Sequence, residues 1–118
     1  MPGDYGGTWV WEAKAWSKLD LLLQPPLRNE AVFVYDPERQ ASVLFGGTVD
    51  FDLFLNDTWI LEGNAWRPLK IDGAPQPRTR SAAFYDPIRH SIIMYGGEAN
   101  RRIYSDMWEF KFPGETNP

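Results

Sequence analysis

Arg28 and Arg78 stand one 50-residue step apart, and each comes just before an apolar run of the chain. A guanidinium in such a place can grip a carboxylate through two parallel N–H donors, whether that carboxylate belongs to a ligand or to the chain itself. Arg80 lies close by. A second set is the acidic, aromatic stretch with Asp50, Phe51 and Asp52, answered 50 residues later by a basic stretch with Arg101 and Arg102. The candidate binding residues are therefore Arg28, Arg78, Arg80, Arg101, Arg102, Asp50 and Phe51. No residue set suggests catalysis. His90 is the single histidine and reads as a solvated turn residue. Asp50 and Asp52 lack the dense oxygen spacing of a calcium loop. Motifs for a hydrolase nucleophile, a zinc protease helix or a phosphate loop are missing. No catalytic residue, metal site or cofactor is expected.

These residues must be carried by a chain of 118 residues and 13.6 kDa, which is one domain's worth. With 43% apolar and 24% charged residues it is neither disordered nor membrane-like in composition. The absence of cysteine removes disulfides, thiolate metal sites and cysteine nucleophiles, and leaves the compartment open. A net charge of −4 argues against nucleic acid as a partner. Neither an 18-residue apolar run nor the pattern of a signal peptide occurs, so a soluble protein without membrane attachment is expected.

The organisation is a repeat. Gly6–Gly47 matches Asn56–Gly97 without gaps at 14 of 42 positions, among them Trp9/Trp59, Trp16/Trp66, Arg28/Arg78, Asp36-Pro37/Asp86-Pro87 and Gly46-Gly47/Gly96-Gly97. A period near 50 points to a stack of one supersecondary unit. Each unit reads as four short strands. Ala31–Tyr35 and Ala41–Phe45 flank an Asp-Pro turn, since Asp accepts local backbone bonds and Pro presets φ. The glycine pair ends the second strand at a junction too tight for a Cβ. Thr58–Leu61 and Ala65–Leu69 form a second hairpin about Gly63-Asn64. The uninterrupted apolar character of Ala31–Tyr35 predicts that both its faces are covered. Alternation places Trp108, Phe110 and Phe112 on one face of one strand. Ten prolines and ten glycines leave no window for a long helix, so the chain is all-β.

Several motifs taken together resemble the kelch-repeat family of β-propellers, in its bacterial form: Pro77-Arg78 before a strand, Phe84-Tyr85-Asp86-Pro87, Ile93-Met94-Tyr95-Gly96-Gly97, and Asn56-Asp57-Thr58-Trp59 with Trp66 beyond. The likeness spans residues 6–112. One departure is that kelch repeats often carry Gly-His after the lead-in arginine, where this chain has Glu30-Ala31 and Arg80-Ser81.

The resemblance implies four-stranded antiparallel blades round a central channel. On that reading the chain is a single unit of about two blades: third and fourth strands at 8–19, a complete blade at 30–70, a partial blade at 80–112, and a tail at 113–118. Trp9, Trp16, Trp59, Trp66 and Trp108 then pack blade on blade, with Gly46, Gly47, Gly96 and Gly97 as structural junctions. Arg28 and Arg78 either look onto the channel mouth or brace the turn they belong to. Two blades leave apolar faces uncovered, which predicts a ring closed by copies of the same chain, three being favoured and four an alternative. The function expected is a protein-interaction or structural module, with a peptide or small acidic ligand at the channel mouth. The alternatives are an excised or engineered piece of a longer propeller, and a sugar isomerase of kelch type. Copper oxidase chemistry of kelch proteins needs a cysteine this chain lacks.

Overall fold

A computed structural model describes residues 6–113, so most of the expected tail at 113–118 lies outside the described residues. The described residues are all-β, with eleven strands and no helix. Strands β1 (Trp9–Glu12) and β2 (Ala15–Lys18) pair as an isolated hairpin through Ala13 and Lys14, both at positive φ. A four-stranded antiparallel meander follows, ordered β3 (Val32–Asp36), β4 (Ala41–Phe45), β7 (Thr58–Glu62) and β8 (Ala65–Leu69). Inserted after β4 is a small hairpin of β5 (Thr48–Val49) and β6 (Leu53–Phe54). The last sheet has three strands, β9 (Ala82–Asp86), β10 (Ser91–Ala99) and β11 (Arg102–Phe110), with β10 central. No helix is long and apolar enough to cross a membrane among these residues.

Local chemistry accounts for the hairpins. Asp36 Oδ1 accepts the N–H groups of Glu38 (2.9 Å) and Arg39 (3.2 Å), and Asp86 does the same for Ile88 and Arg89. A side chain that satisfies two turn donors makes the reversal independent of the rest of the fold. Only one of the glycine pairs ends its strand as expected. β4 stops at Phe45, but β10 runs through Gly96 and Gly97 to Ala99, with an irregular register between Tyr95 and Gly97. A bulge of this kind bends a strand without ending its pairing. The segments after the glycines are accordingly hairpin tips rather than free loops.

Ala41, Val43 and Ile60 of the four-stranded sheet pack with Ile92 and Phe112, and Val32 and Phe45 pack with Met94, so the two larger sheets stack on each other. Only one face of β3 is covered within the chain. Val32 is buried, whereas Phe33 and Tyr35 are more than half exposed, because strand residues alternate between faces and the outer one has no second sheet on it, only the contact of Phe33 with Trp66 at 6.0 Å. Coverage of both faces, expected from the apolar run, is therefore absent among the described residues. Phe110 and Phe112 contact edge to face at 5.2 Å, yet β11 ends at Phe110, and Phe112 reaches the core from beyond the strand. Trp108 remains 36% exposed because β11 is an edge strand with no fourth neighbour.

Gly46 and Gly47 have φ of +71° and +97°, and a Cβ there would lie 2.8 Å from the Arg78 carbonyl oxygen and 2.7 Å from that of Asn29. Gly63, at φ +58°, has nothing within 4 Å of its Cβ position. Gly63→Ala should cost only the left-handed backbone term of about 1 kcal/mol, and Gly47→Ala should cost clearly more, about 2–3 kcal/mol. Urea unfolding of the two variants measures the difference, and equal losses would contradict a steric junction.

Candidate functional site

The lead-in arginines are structural clips. Arg28 donates from both terminal nitrogens to Asp57, at 2.5 and 2.8 Å, and also to the Gly46 carbonyl at 3.0 Å. Arg78 repeats this on Asp106 (2.6 and 2.9 Å) and the Gly96 carbonyl (3.0 Å). Each Nε turns back to its own lead-in, to Pro26 O and Gln76 O respectively. The Arg78 side chain is 1% exposed, and its guanidinium sits over the Tyr104 ring at 4.0 Å. With four of the five N–H donors of each guanidinium engaged inside the chain, both arginines brace the turn they belong to.

Each clip has a third member. Asp57 accepts the indole N–H of Trp59 at 3.0 Å, and Asp106 accepts that of Trp108 at 2.7 Å. The two aspartates were not among the residues singled out from the sequence, although Asp-x-Trp recurs 49 residues apart and offered the signal. In the N-terminal copy Gly7 stands where that aspartate would be. Burial works to raise the Asp57 pKa, but the bonds from Arg28 and then Trp59 overturn it and leave it lowered. Arg78 chiefly, helped by Trp108 and opposed by burial, holds Asp106 far below the ordinary carboxylate value.

Arg80 lies outside the clip. It is bonded to Glu30 (3.1 Å) and reaches Glu98 at 3.5 Å, on an exposed rim. Glu30 and Arg80 have φ of +56° and +61°, a backbone that favours glycine, so the departure from the kelch Gly-His pattern places charged side chains on strained backbone. His90 is exposed in its turn, paired to Glu38 at 2.5 Å. The hydrogen bond from His90 is the main reason why the Glu38 pKa is lowered.

Asp50, Phe51, Arg101 and Arg102 occupy the two hairpin tips. Asp50 and Phe51 have φ of +52° and +62°, and Asn100 and Arg101 have +49° and +66°. Between these tips runs a cleft of about 450 Å³, with Asp52, Leu53 and Phe54 from one hairpin and Ala99, Asn100 and Arg102 from the other. The structure thus brings the acidic and basic tips to one cleft, while it takes Arg28 and Arg78 into the interior. Among the tryptophans, Trp59 and Trp66 are buried and meet edge to face at 6.5 Å, but Trp9 and Trp16 stay more than half exposed. No cluster of three or more potential metal-ligating His, Asp or Glu side chains occurs among the described residues.

Comparison with known protein families gives no match to any family model, and comparison with curated proteins gives no significant match either.

The clips make acid stability specific. A carboxylate whose folded pKa is lowered adds stability that is present above its unfolded value, near 3.8, and is lost as pH falls below it. The urea midpoint should fall as the solution is acidified through and below that value. Asp106→Asn should cost about 2–3 kcal/mol at neutral pH, since it leaves the buried Arg78 charge without its counter-ion, and should flatten that acid decline. Glu62→Gln, which breaks the exposed Arg67 pair, should change stability by less than about 0.5 kcal/mol. Similar losses from the two substitutions would contradict the clip.

Proposed function

We propose that the chain is a two-unit segment of a kelch-type β-propeller, that it assembles head to tail with copies of itself into a closed ring, and that it serves as an interaction and structural module rather than an enzyme. One observation carries this reading. Under the 50-residue repeat, the covered face of the four-stranded sheet (Val34, Val43, Phe45) corresponds to Phe84, Ile93 and Tyr95 of the last sheet, where Ile93 is buried but Phe84 and Tyr95 are about half exposed. In the other direction, the exposed Phe33 and Tyr35 and the half-buried Leu44 correspond to Ala83, Tyr85 and Met94, which lie on the covered side. The contact already made inside the chain is thus available again at both its ends, one face matching the other.

A contact between two different faces propagates in one direction and closes when its rotation divides a full turn. Two larger sheets per chain give six-fold closure from three chains and eight-fold closure from four. Phe84 and Tyr95 are about half exposed and Met107 is 69% exposed, which is surface that association would remove from water. The free edge of β11 supports the same reading. β2 is the repeat counterpart of β8, with Ala15, Trp16 and Leu19 answering Ala65, Trp66 and Leu69, so β2 of another copy has the composition to complete that sheet. Trp9 of β1 and Trp108 of β11 are also counterparts, and the two strands compete for β2.

Light scattering after gel filtration should give about three times the 13.6 kDa chain mass. Phe33→Glu and Phe84→Glu should each abolish the ring, because each ruins one of the two faces. An equimolar mixture of the two variants should form a dimer through the one intact pair of faces, a result special to a head-to-tail contact. A monodisperse monomer for the unaltered chain, or variants that never recombine, would overturn the proposal.

A further inference from the structure

The ion pairs of the molecule single out one place. Of the eight arginines, Arg28 and Arg78 hold Asp57 and Asp106, Arg39 holds Asp36, Arg67 holds Glu62, Arg80 holds Glu30, and Arg89 holds Glu109. Arg101 and Arg102 alone have no carboxylate partner among the described residues, and Asp50 and Asp52 have no cationic one. These four lie at the tips of the two hairpins, and two of them, Asp52 and Arg102, line the cleft. Those two opposite charges share one opening without forming an ion pair.

We propose that the cleft between the β5–β6 and β10–β11 hairpin tips binds short peptides as zwitterions, with the α-ammonium group at Asp52 and the terminal carboxylate at Arg102. The charges decide the class of ligand. An all-acidic ligand would gain Arg102 but meet Asp52, and a purely cationic one would meet Arg102 in turn. A ligand with both signs satisfies the two walls together, and the guanidinium gives it a planar, two-point hold on a carboxylate. The remaining lining suits a peptide side chain and backbone: Phe54, Pro77 and Tyr104 supply apolar surface, and Asn100 supplies an amide. The volume of about 450 Å³ falls within the range of small-ligand sites, about 300–1,000 Å³.

The scaffold is rigid where this needs it. Tyr104 lies against the buried Arg78 guanidinium, which the Asp106 clip immobilises, so that wall cannot fold inward. Thr79 and Glu98 exchange two backbone bonds of 2.9 Å, tying the lead-in beside Pro77 to the strand that carries Ala99 and leads into Asn100. Both walls belong to one chain, so the site stands independently of ring formation.

The test uses the full chain and the unblocked dipeptide Phe-Ala, followed by amide shifts in ¹H–¹⁵N NMR spectra, with the mass of the titrated species recorded. Saturable shifts at Asn100 and Arg102 are expected in the millimolar range or tighter. The N-acetylated and the C-amidated dipeptides should each bind about tenfold more weakly, as should Arg102→Gln and Asp52→Asn with the unblocked form. Arg67→Gln, in a distant exposed pair, should leave binding unchanged. Absence of shifts at about 10 mM, or equal affinity for the blocked dipeptides, would overturn the proposal. Binding by a species of monomer mass would keep it while removing the ring.

Discussion

The structure depends on what Arg78 does with both its backbone and its side chain. Its N–H donates to Leu55 O and its carbonyl accepts the Gly47 N–H, which attaches the backbone to the four-stranded unit. Its guanidinium reaches the other way, to Asp106 and Gly96 of the last sheet. One residue thus couples two sheets whose strands share no ladder. The glycine at position 46 is a consequence, since a Cβ there would occupy the place of that Arg78 carbonyl. The charge is buried, and with its carboxylate partner and four hydrogen bonds it serves register and orientation more than net stability.

A device of this kind can be repeated, and Arg28 repeats it with Asp57 and the Gly46 carbonyl. Repetition explains why the two open faces of the stack are equivalents of the two faces in contact. Each sheet is apolar on both sides, and a chain with two such sheets has one contact inside and two half-contacts left over. The exposed aromatics Phe33, Tyr35 and Phe84 are the expression of that count.

Variation is confined to the rim. Where the clips are nearly identical from one unit to the next, the hairpin tips change from Asp50-Phe51 to Asn100-Arg101 on the same left-handed backbone. The lead-in positions Glu30 and Arg80 likewise hold charged residues at positive φ, where backbone strain is tolerated only because neighbouring bonds fix the conformation. A constant frame with variable tips is how a repeat builds a recognition surface.

The repeat, the all-β class and the Asp-Pro hairpins were legible in the amino-acid order alone, because turn chemistry and period-two alternation act over a few residues. Asp36 and Asp86 needed nothing beyond their own turns. The sequence left the role of Arg28 and Arg78 open between ligand binding and bracing, and this was decided by carboxylates 28 and 29 residues away. Coverage of β3 on both faces could not be judged locally either, since an apolar run states what a strand wants and not whether a neighbour is present. The cleft between the hairpin tips belongs to the same class. Asp52 and Arg102 share it only because the packing of one unit on the next sets the β5–β6 and β10–β11 hairpin tips side by side. Spacing along the chain determined each unit, and the packing of one unit on the next decided which charges are paired inside and which stay at the rim.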